Sequence, residues 1–510
     1  MQLEPKDLYE KLEFDKVLAL LENLCLGDLG KAQVQKMPIE TELILIEKKL
    51  KEVKEYTLTF ENNDPFPITE YFTISKDLRM LEVVDFVLAE EALKRINIIL
   101  RFVQGMFNFY NEARKEIYPT LYNIIKDISF DEYLAKAIEQ VIDEQGNIKP
   151  DASPELLKIR KGIISKQKEL EKVFRKLIYD YKQKGWLSDN VESIRNGRRV
   201  LSVPTEHKRK IRGIIHDEST TGRTAYIEPE QVIDINNDIF DLQTEEKREI
   251  YRILKELSAT LRPYVPLFRK YQELISIYDV IQAKARLAGQ MNAEMPQLND
   301  EPKMGIEMGK HPLLYLKNKK LGKETVPFDL KLFGGNRIVV LSGPNAGGKS
   351  ILMKSVGLIQ LMMQAGMLVP VDEISEMGIF EKIFADIGDQ QSLEDDLSTY
   401  SSRLKNAKVF LENSNDKTLI LIDEFGSGTD PKIGGAIAES VLKELNAKKV
   451  FGVITTHYSN LKMYAFKTPG IINGSMLFDN ENLSPTYQFK AGRPGSSYAF
   501  EIAKKSGLPG

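Results

Sequence analysis

Residues Gly343-Pro344-Asn345-Ala346-Gly347-Gly348-Lys349-Ser350 satisfy the phosphate-binding pattern G-x-x-x-x-G-K-[ST] at every fixed position. The chemistry this suggests is recognition of a nucleoside triphosphate. Glycines let the backbone approach an anion, and the loop N–H groups point inward at it. Lys349 would reach the β- and γ-phosphates, and the Ser350 hydroxyl would ligate Mg²⁺. Glycine-rich turns match this pattern by chance, so context decides. Residues 337–342 (RIVVLS) read as a buried strand and 351–365 as an apolar, periodic helix, which is the strand–loop–helix context the pattern requires.

A second chemical element follows. Residues 418–424 (TLILIDE) form an apolar strand pattern ending in two carboxylates. Downstream of a phosphate loop, Asp423 would hold Mg²⁺ through water, and Glu424 would orient or deprotonate the attacking water. A third apolar run, 450–455, delivers His457. That histidine has two readings, a γ-phosphate sensor or a structural residue.

These residues need a scaffold. A chain of 510 residues exceeds one core, so several domains are expected. Hydrophobic content of 42%, charge of 28% and a net charge of −3 describe a globular protein whose basic surfaces must be local. One cysteine, Cys25, in an apolar helical setting reads as a core residue in a reducing compartment. The sequence contains no membrane-spanning run and opens without a signal-peptide pattern, so a cytoplasmic location is expected.

Amphipathic helices dominate the first 150 residues, broken at Asn62-Asn63-Asp64-Pro65. A long helix then starts at a Ser153 cap with Pro154 in its first turn. Leu156, Ile163, Leu170 and Leu177 recur seven apart along it. Thirty residues at 1.5 Å give a rod of about 45 Å. A second rod runs from about 232 to 261, and the matched lengths predict an antiparallel pair. Between them, residues 193–228 carry short β-like runs (199–203, 211–215 and 224–227). Arg195, Arg198, Arg199, Lys208, Arg209, Lys210 and Arg212 crowd the first half of this segment, with Glu206 the one acid among them. Such a tip suits a polyanion held through phosphate contacts, against the plainer reading of a solvated hairpin.

The fragments GPNAGGKS, LILIDEFGSGTDP and ITTHYSNL, in that order, resemble the ATPase domain of the MutS family, a relative of the ABC ATPases. The N-terminal LYEKLEFDKVLALLENLCLGDLGK, the rod start DASPELLKIRKGI and the basic tip RNGRRVLSVPTEHKRKIRGIIHDESTTGRTAYIEP resemble its type 2 branch. The resemblance implies an α plus α/β fold. A helical core (1–150) leads to an ascending lever helix (151–190), a basic β clamp (191–230), a descending lever and core return (231–300), and an ABC-like ATPase domain (301–510).

The resemblance also implies ATP and Mg²⁺ as cofactors, with Gly343, Pro344, Asn345, Ala346, Gly347, Gly348, Lys349 and Ser350 around the triphosphate. Asp423 and Ser350 would serve the metal, with Glu424, His457 and Lys349 catalytic. It implies a homodimer in which Ser398-Thr399-Tyr400-Ser401 reaches the partner's nucleotide, Ser398 and Ser401 contributing directly. His311-Pro312 and Val326-Pro327-Phe328-Asp329 resemble the segments lining the adenine side, although Phe328 replaces the usual Asn. Phe130-Asp131-Glu132 fits the mismatch-wedging motif F-x-E but lies among helices, so mismatch recognition is not expected. Type 2 members continue into a coiled coil and a nuclease-like Smr domain; the sequence ends at Gly510 without them, so no nuclease activity is expected of it. The implied function is an ATP-driven clamp on branched DNA that suppresses recombination. A clamp on stalled or collided ribosomes is the alternative, and a non-hydrolysing scaffold is disfavoured by the intact Lys349, Asp423 and Glu424.

Overall fold

Strands with apolar residues at every position must be covered on both faces, and the sequence supplies several of them. The computed structural model describes residues 1–189, 191–344, 347–388, 396–427, 429–479 and 484–495, with only the backbone of 396–400. The result is a mixed helical and sheet protein of two units. The first comprises Met1–Glu70, Met106–Ser129 and Leu274–Gly510; the second comprises Tyr71–Gly105 and Phe130–Glu273.

In the first unit, the strands in chain order are β1 (Gln2–Glu4), β6 (Gln297–Asn299), β7 (Met304–Gly309), β8 (Phe328–Leu332), β9 (Asn336–Ser342), β10 (Glu376–Gly378), β11 (Lys382–Asp386), β12 (Thr418–Ile422), β13 (Phe451–Thr455), β14 (Gly470–Asp479) and β15 (Ser484–Ala491). The large sheet runs β1-β11-β12-β13-β9-β14-β15. It is parallel from β1 through β14, and β15 returns antiparallel. β12 and β13 are buried at every position, as double coverage requires. The N-terminal β1 joins the edge of this sheet, which helical patterning from Leu8 onward gave no reason to expect. A smaller sheet, β6-β10-β7-β8, lies in the same unit. Cys25 is buried, and burial pushes its thiol up to about 12, so it is an inert core residue.

In the second unit, helix Pro154–Gln183 pairs with helix Glu230–Leu261. Ser153 caps the first, its hydroxyl accepting the Leu156 N–H at 3.0 Å. Cross-links from Ser153 to Glu249, Arg160 to Glu246 and Lys166 to Asp238 run in opposite chain directions, so the pair is antiparallel. The stripe Leu156, Ile163, Leu170 and Leu177 is buried. Between the helices lie strands β2 (Glu192–Arg195), β3 (Arg198–Pro204), β4 (Gly213–Glu218) and β5 (Thr224–Pro229), ordered β2-β3-β5-β4. One face of this sheet packs on Leu170, Phe174 and Leu177 of the first helix and Val232, Ile235 and Ile239 of the second. The strand expected over 211–215 begins later, at Gly213, because Ile211 turns into the core instead. Asp131 caps helix Glu132–Val141 and Phe130 packs near Tyr271, an ordinary structural use of the F-x-E triplet. Among the described residues, no helix is long and apolar enough to cross a membrane.

Candidate nucleotide site and basic sheet

β12, β13 and β9 are adjacent and parallel, so their C-terminal ends face the same edge of the sheet. Open α/β sheets bind ligands at that edge. β9 ends in the phosphate-loop sequence, β12 in Asp423-Glu424 and β13 in Thr455-Thr456-His457. The topology therefore brings together three motifs far apart in the chain.

Gly343 (φ +138°) and Gly348 (φ +92°) occupy conformations that side chains resist. A Cβ on Gly343 would lie 3.3 Å from the Met476 carbonyl oxygen, and one on Gly348 would lie 3.2 Å from the Tyr487 ring. Lys349 opens helix Lys349–Gln364 and is buried. Its ammonium donates to the Gly343 and Pro344 carbonyls at 2.8 and 3.0 Å, so it is aimed into the curl of the loop. Burial lowers its pKa, while the Asp423 and Glu424 charges oppose the fall. Ser350 is half-buried in the first turn of the same helix, and Gly347 is buried. Asn345 and Ala346 lie outside the described residues.

Glu424 sits in the left-handed region at φ +51°. Its N–H donates to Thr455 Oγ1 at 2.8 Å, and that hydroxyl donates to Asp423 Oδ1 at 2.5 Å. One threonine thus fixes both carboxylate residues. His457 Nε2 is 4.0 Å from Glu424 Oε1, and both side chains are about two-fifths exposed. Burial first, then the Lys349 charge, lowers the His457 pKa, which favours the neutral imidazole. Arg403 Nη1 reaches the Glu424 carbonyl at 3.0 Å and Ser427 Oγ at 2.5 Å. Sequence reasoning missed both supports. The signal for Thr455 was its place two residues before His457; Arg403 belongs to no motif.

Ser401 lies exposed on helix Asp396–Asn413, the helix that carries Arg403. The Ser398 side chain lies outside the described part of the structure.

A cavity of about 410 Å³ opens beside Gly348, lined by His311, Val326, Phe328, Met476 and Tyr487 among others. It contains the segments expected on the adenine side, and Tyr487 and Met476 join them from the β14–β15 hairpin. His311 is pushed down to about 4, mainly by burial and against the pull of Glu13. Its Nδ1 accepts the Leu314 N–H at 3.4 Å. The site therefore offers a glycine cradle, a lysine, a hydroxyl with a carboxylate, and a recess of nucleoside size. Hydroxyl and carboxylate oxygens are the hard donors Mg²⁺ takes.

In the second unit, folding pairs four of the seven basic candidates with acids, Glu171 and Glu192 coming from outside the segment. Arg195 pairs with Asp217 at 3.2 Å and lies over the Tyr226 ring. Arg198 donates to Glu228 at 2.9 Å. Arg199 pairs with Glu171 and with Glu192, the latter at 2.6 Å. Lys208 pairs with Glu218 at 3.0 Å. Arg209, Lys210 and Arg212 are exposed and have no ion pair among the described residues. Glu228 is fully buried and also receives His216 Nε2 at 2.6 Å and Asn236 Nδ2 at 2.7 Å.

The MutS domain V family model matches residues 339–510. Over almost the whole chain the sequence is similar to proteins described as Endonuclease MutS2. That of Ruminiclostridium cellulolyticum is 37% identical over 498 residues, 98% of this chain and 62% of that protein. The relative from Pediococcus pentosaceus is 34% identical, with 99% and 63% covered. The one from Carboxydothermus hydrogenoformans is 35% identical, with 98% and 63% covered. The chain thus spans a little over three-fifths of the length of these relatives.

Proposed function

We propose that the chain is a member of the MutS family, as its likeness to MutS domain V and to the MutS2 relatives supports, and that it is an ATP-hydrolysing clamp on nucleic acid. The carrying observation is the convergence of Lys349, the Asp423-Glu424 pair and His457 at one edge of a parallel sheet, beside a nucleoside-sized cavity. ATP lies with its base toward His311, Phe328 and Tyr487 and its phosphates over Gly343 to Ser350. Ser350 and Asp423 would hold Mg²⁺, which would supply charge neutralisation to the triphosphate. Lys349 turns from the loop carbonyls to the phosphate oxygens. Glu424 orients the attacking water and takes its proton, and neutral His457 donates a hydrogen bond to the γ-phosphate. Two chains face each other, with Ser398 and Ser401 of one completing the site of the other.

In this reading the domains run 1–150 (core), 151–190 and 231–300 (levers), 191–230 (clamp) and 301–510 (ATPase), in a cytoplasmic protein. Nucleotide turnover shifts the clamp between populations through differential affinity. Arg209, Lys210 and Arg212 touch phosphate, while Arg195, Arg198, Arg199 and Lys208 hold the sheet together. The relatives' description as endonucleases supports nucleic acid as the polymer engaged; the proposal assigns strand cleavage to none of the described residues. Branched DNA is the target we favour, with suppression of recombination as the outcome.

The test is anisotropy of a labelled four-way DNA junction with ATP and Glu424→Ala protein at near-physiological salt, with ribosomes as competitor. Tight junction binding that ribosomes fail to displace supports the DNA reading. Transfer of the protein onto ribosomes overturns it in favour of ribosome rescue. Absence of Mg²⁺-dependent ATP turnover in the unsubstituted chain overturns the ATPase itself.

A further inference from the structure

Helix Pro154–Gln183 ends in a way that fixes an aromatic residue in place. Gly185 (φ +69°) follows the C-cap Lys184, and the Gly185 N–H donates to the Lys182 carbonyl at 3.0 Å. The Trp186 N–H donates to the Tyr181 carbonyl, also at 3.0 Å. These two bonds define a Schellman motif, whose usual apolar contact here is the Trp186 ring stacked on Tyr181, centroids 5.8 Å apart. The motif accounts for that contact, but not for what surrounds it. Lys184 Nζ lies 4.9 Å from the Trp186 ring centroid and Lys210 Nζ lies 5.8 Å from it. Both lysines are exposed, and Trp186 is half-buried. Lys210 comes from the loop that also carries exposed Arg209 and Arg212.

The contrast with the rest of the sheet is chemical. Arg195, Arg198, Arg199 and Lys208 are held by carboxylates, which cancel their charge. Lys184 and Lys210 are held by a π face, which orders an ammonium without neutralising it. The positive charge still available to a ligand therefore gathers around a rigid indole. An acidic protein surface would satisfy the lysines and leave the ring unused. A nucleotide with an unpaired base uses both, its phosphates on the lysines and its base on the aromatic pair.

We propose that Trp186, Tyr181, Lys184 and Lys210 form a subsite for an unpaired nucleotide, such as a single strand at a branch or a splayed RNA loop. This rests on the clamp reading above and narrows what the clamp grips.

The experiment exploits Trp186 being the single tryptophan of the chain, so emission excited at the red edge, beyond tyrosine absorption, reports this site alone. The full chain is titrated with fluorescein-labelled single-stranded DNA, RNA of the same sequence, a blunt duplex and an abasic strand, reading anisotropy, and with unlabelled copies, reading emission. Both single strands are expected to quench emission in step with binding, while the duplex and the abasic strand leave it unchanged. Lys184→Gln with Lys210→Gln, which keeps the ring, is expected to weaken single-strand binding roughly tenfold and to lower the log–log salt slope by about 1.4, two contacts at about 0.7 each. Trp186→Phe is expected to retain most of the binding, and Trp186→Leu to lose roughly tenfold or more. Equal quenching by the abasic strand or the duplex overturns the subsite. So does anisotropy that shows binding with unchanged emission and unaffected lysine variants, and the clamp reading survives that result. Failure of every nucleic acid to bind overturns both. The DNA and RNA arms identify which polymer is preferred.

Discussion

Thr455 Oγ1 donates to Asp423 Oδ1 at 2.5 Å and accepts the neighbouring Glu424 N–H at 2.8 Å. A hydroxyl can do both at once because it carries one proton and two lone pairs. The geometry joins the ends of β12 and β13 and holds Glu424 at its positive φ. Thr455→Val keeps the shape and deletes both bonds. ATP turnover is expected to fall about ten- to hundredfold, the usual cost of losing a group that orients a ligand, with little change in KM for ATP. Thr455→Ser is expected to restore turnover. Steady-state kinetics on the three proteins decides; a KM effect with kcat intact would sink the positioning role.

Lys349 and Glu424 separate binding from chemistry. Lys349→Ala is expected to weaken nucleotide binding itself, since the ammonium meets the phosphates in the ground state. Glu424→Ala is expected to bind ATP normally and to hydrolyse it at least about a hundredfold more slowly, the range for a lost general base. Equilibrium binding of a fluorescent ATP analogue, alongside phosphate release, reads both quantities. Normal hydrolysis by Glu424→Ala would remove it from the water-orienting role.

The basic residues of the small sheet are expected to divide into two classes. Arg198 serves the fully buried Glu228 carboxylate, so Arg198→Ala strands a charge that keeps only His216 and Asn236. Removing one partner of a buried pair costs about 3 kcal/mol, and the thermal midpoint should drop. Arg209→Gln and Arg212→Gln remove exposed charges that have no ion pair among the described residues, so stability should stay within about 0.5 kcal/mol. They should instead lower the salt slope of duplex binding by about 0.9 per contact. Calorimetry and salt titration of the same variants separate the classes. A stable Arg198→Ala with a reduced salt slope would reverse the assignment.

Local patterns carried much of the fold in the sequence itself. The seven-residue spacing from Leu156 to Leu177 and the Ser153 cap mark a helix whose bounds differ little from Pro154–Gln183. The strands β9, β12 and β13 follow from unbroken apolar runs beside turn residues. Partners brought from elsewhere were not legible. Glu171, Glu192, Asp217, Glu218 and Glu228 neutralise Arg195, Arg198, Arg199 and Lys208 across strands and helices, whereas the stretch that holds the basic residues, 195–212, contains Glu206 alone. Tyr487 and Met476 reach the cavity beside Gly348 only because β15 folds back on β14. Arg403 grips the Glu424 carbonyl from a helix whose own motif lies upstream. In each case the missing information is a long-range pairing, which periodicity and spacing cannot encode.

His311 gives a pH dependence with a definite sign. In the unfolded chain its imidazole takes up a proton near 6.5, whereas in the fold burial holds it to about 4. As pH falls, the unfolded state therefore binds the proton first, and the contribution of this group is present above about pH 6.5 and lost on the way down to 4. The shift corresponds to about 3 kcal/mol at full protonation. His311→Asn keeps a side chain able to cap helix Pro312–Lys320, where His311 Nδ1 now accepts the Leu314 N–H, and it removes the titration. Urea denaturation of both proteins at neutral pH and near pH 4.5 is the measurement. The unsubstituted protein is expected to lose more stability than His311→Asn between the two conditions. Carboxylates common to both cancel in that difference. Parallel losses would mean that His311 is protonated in the fold at no cost and that the cavity beside Gly348 is open to water at that point.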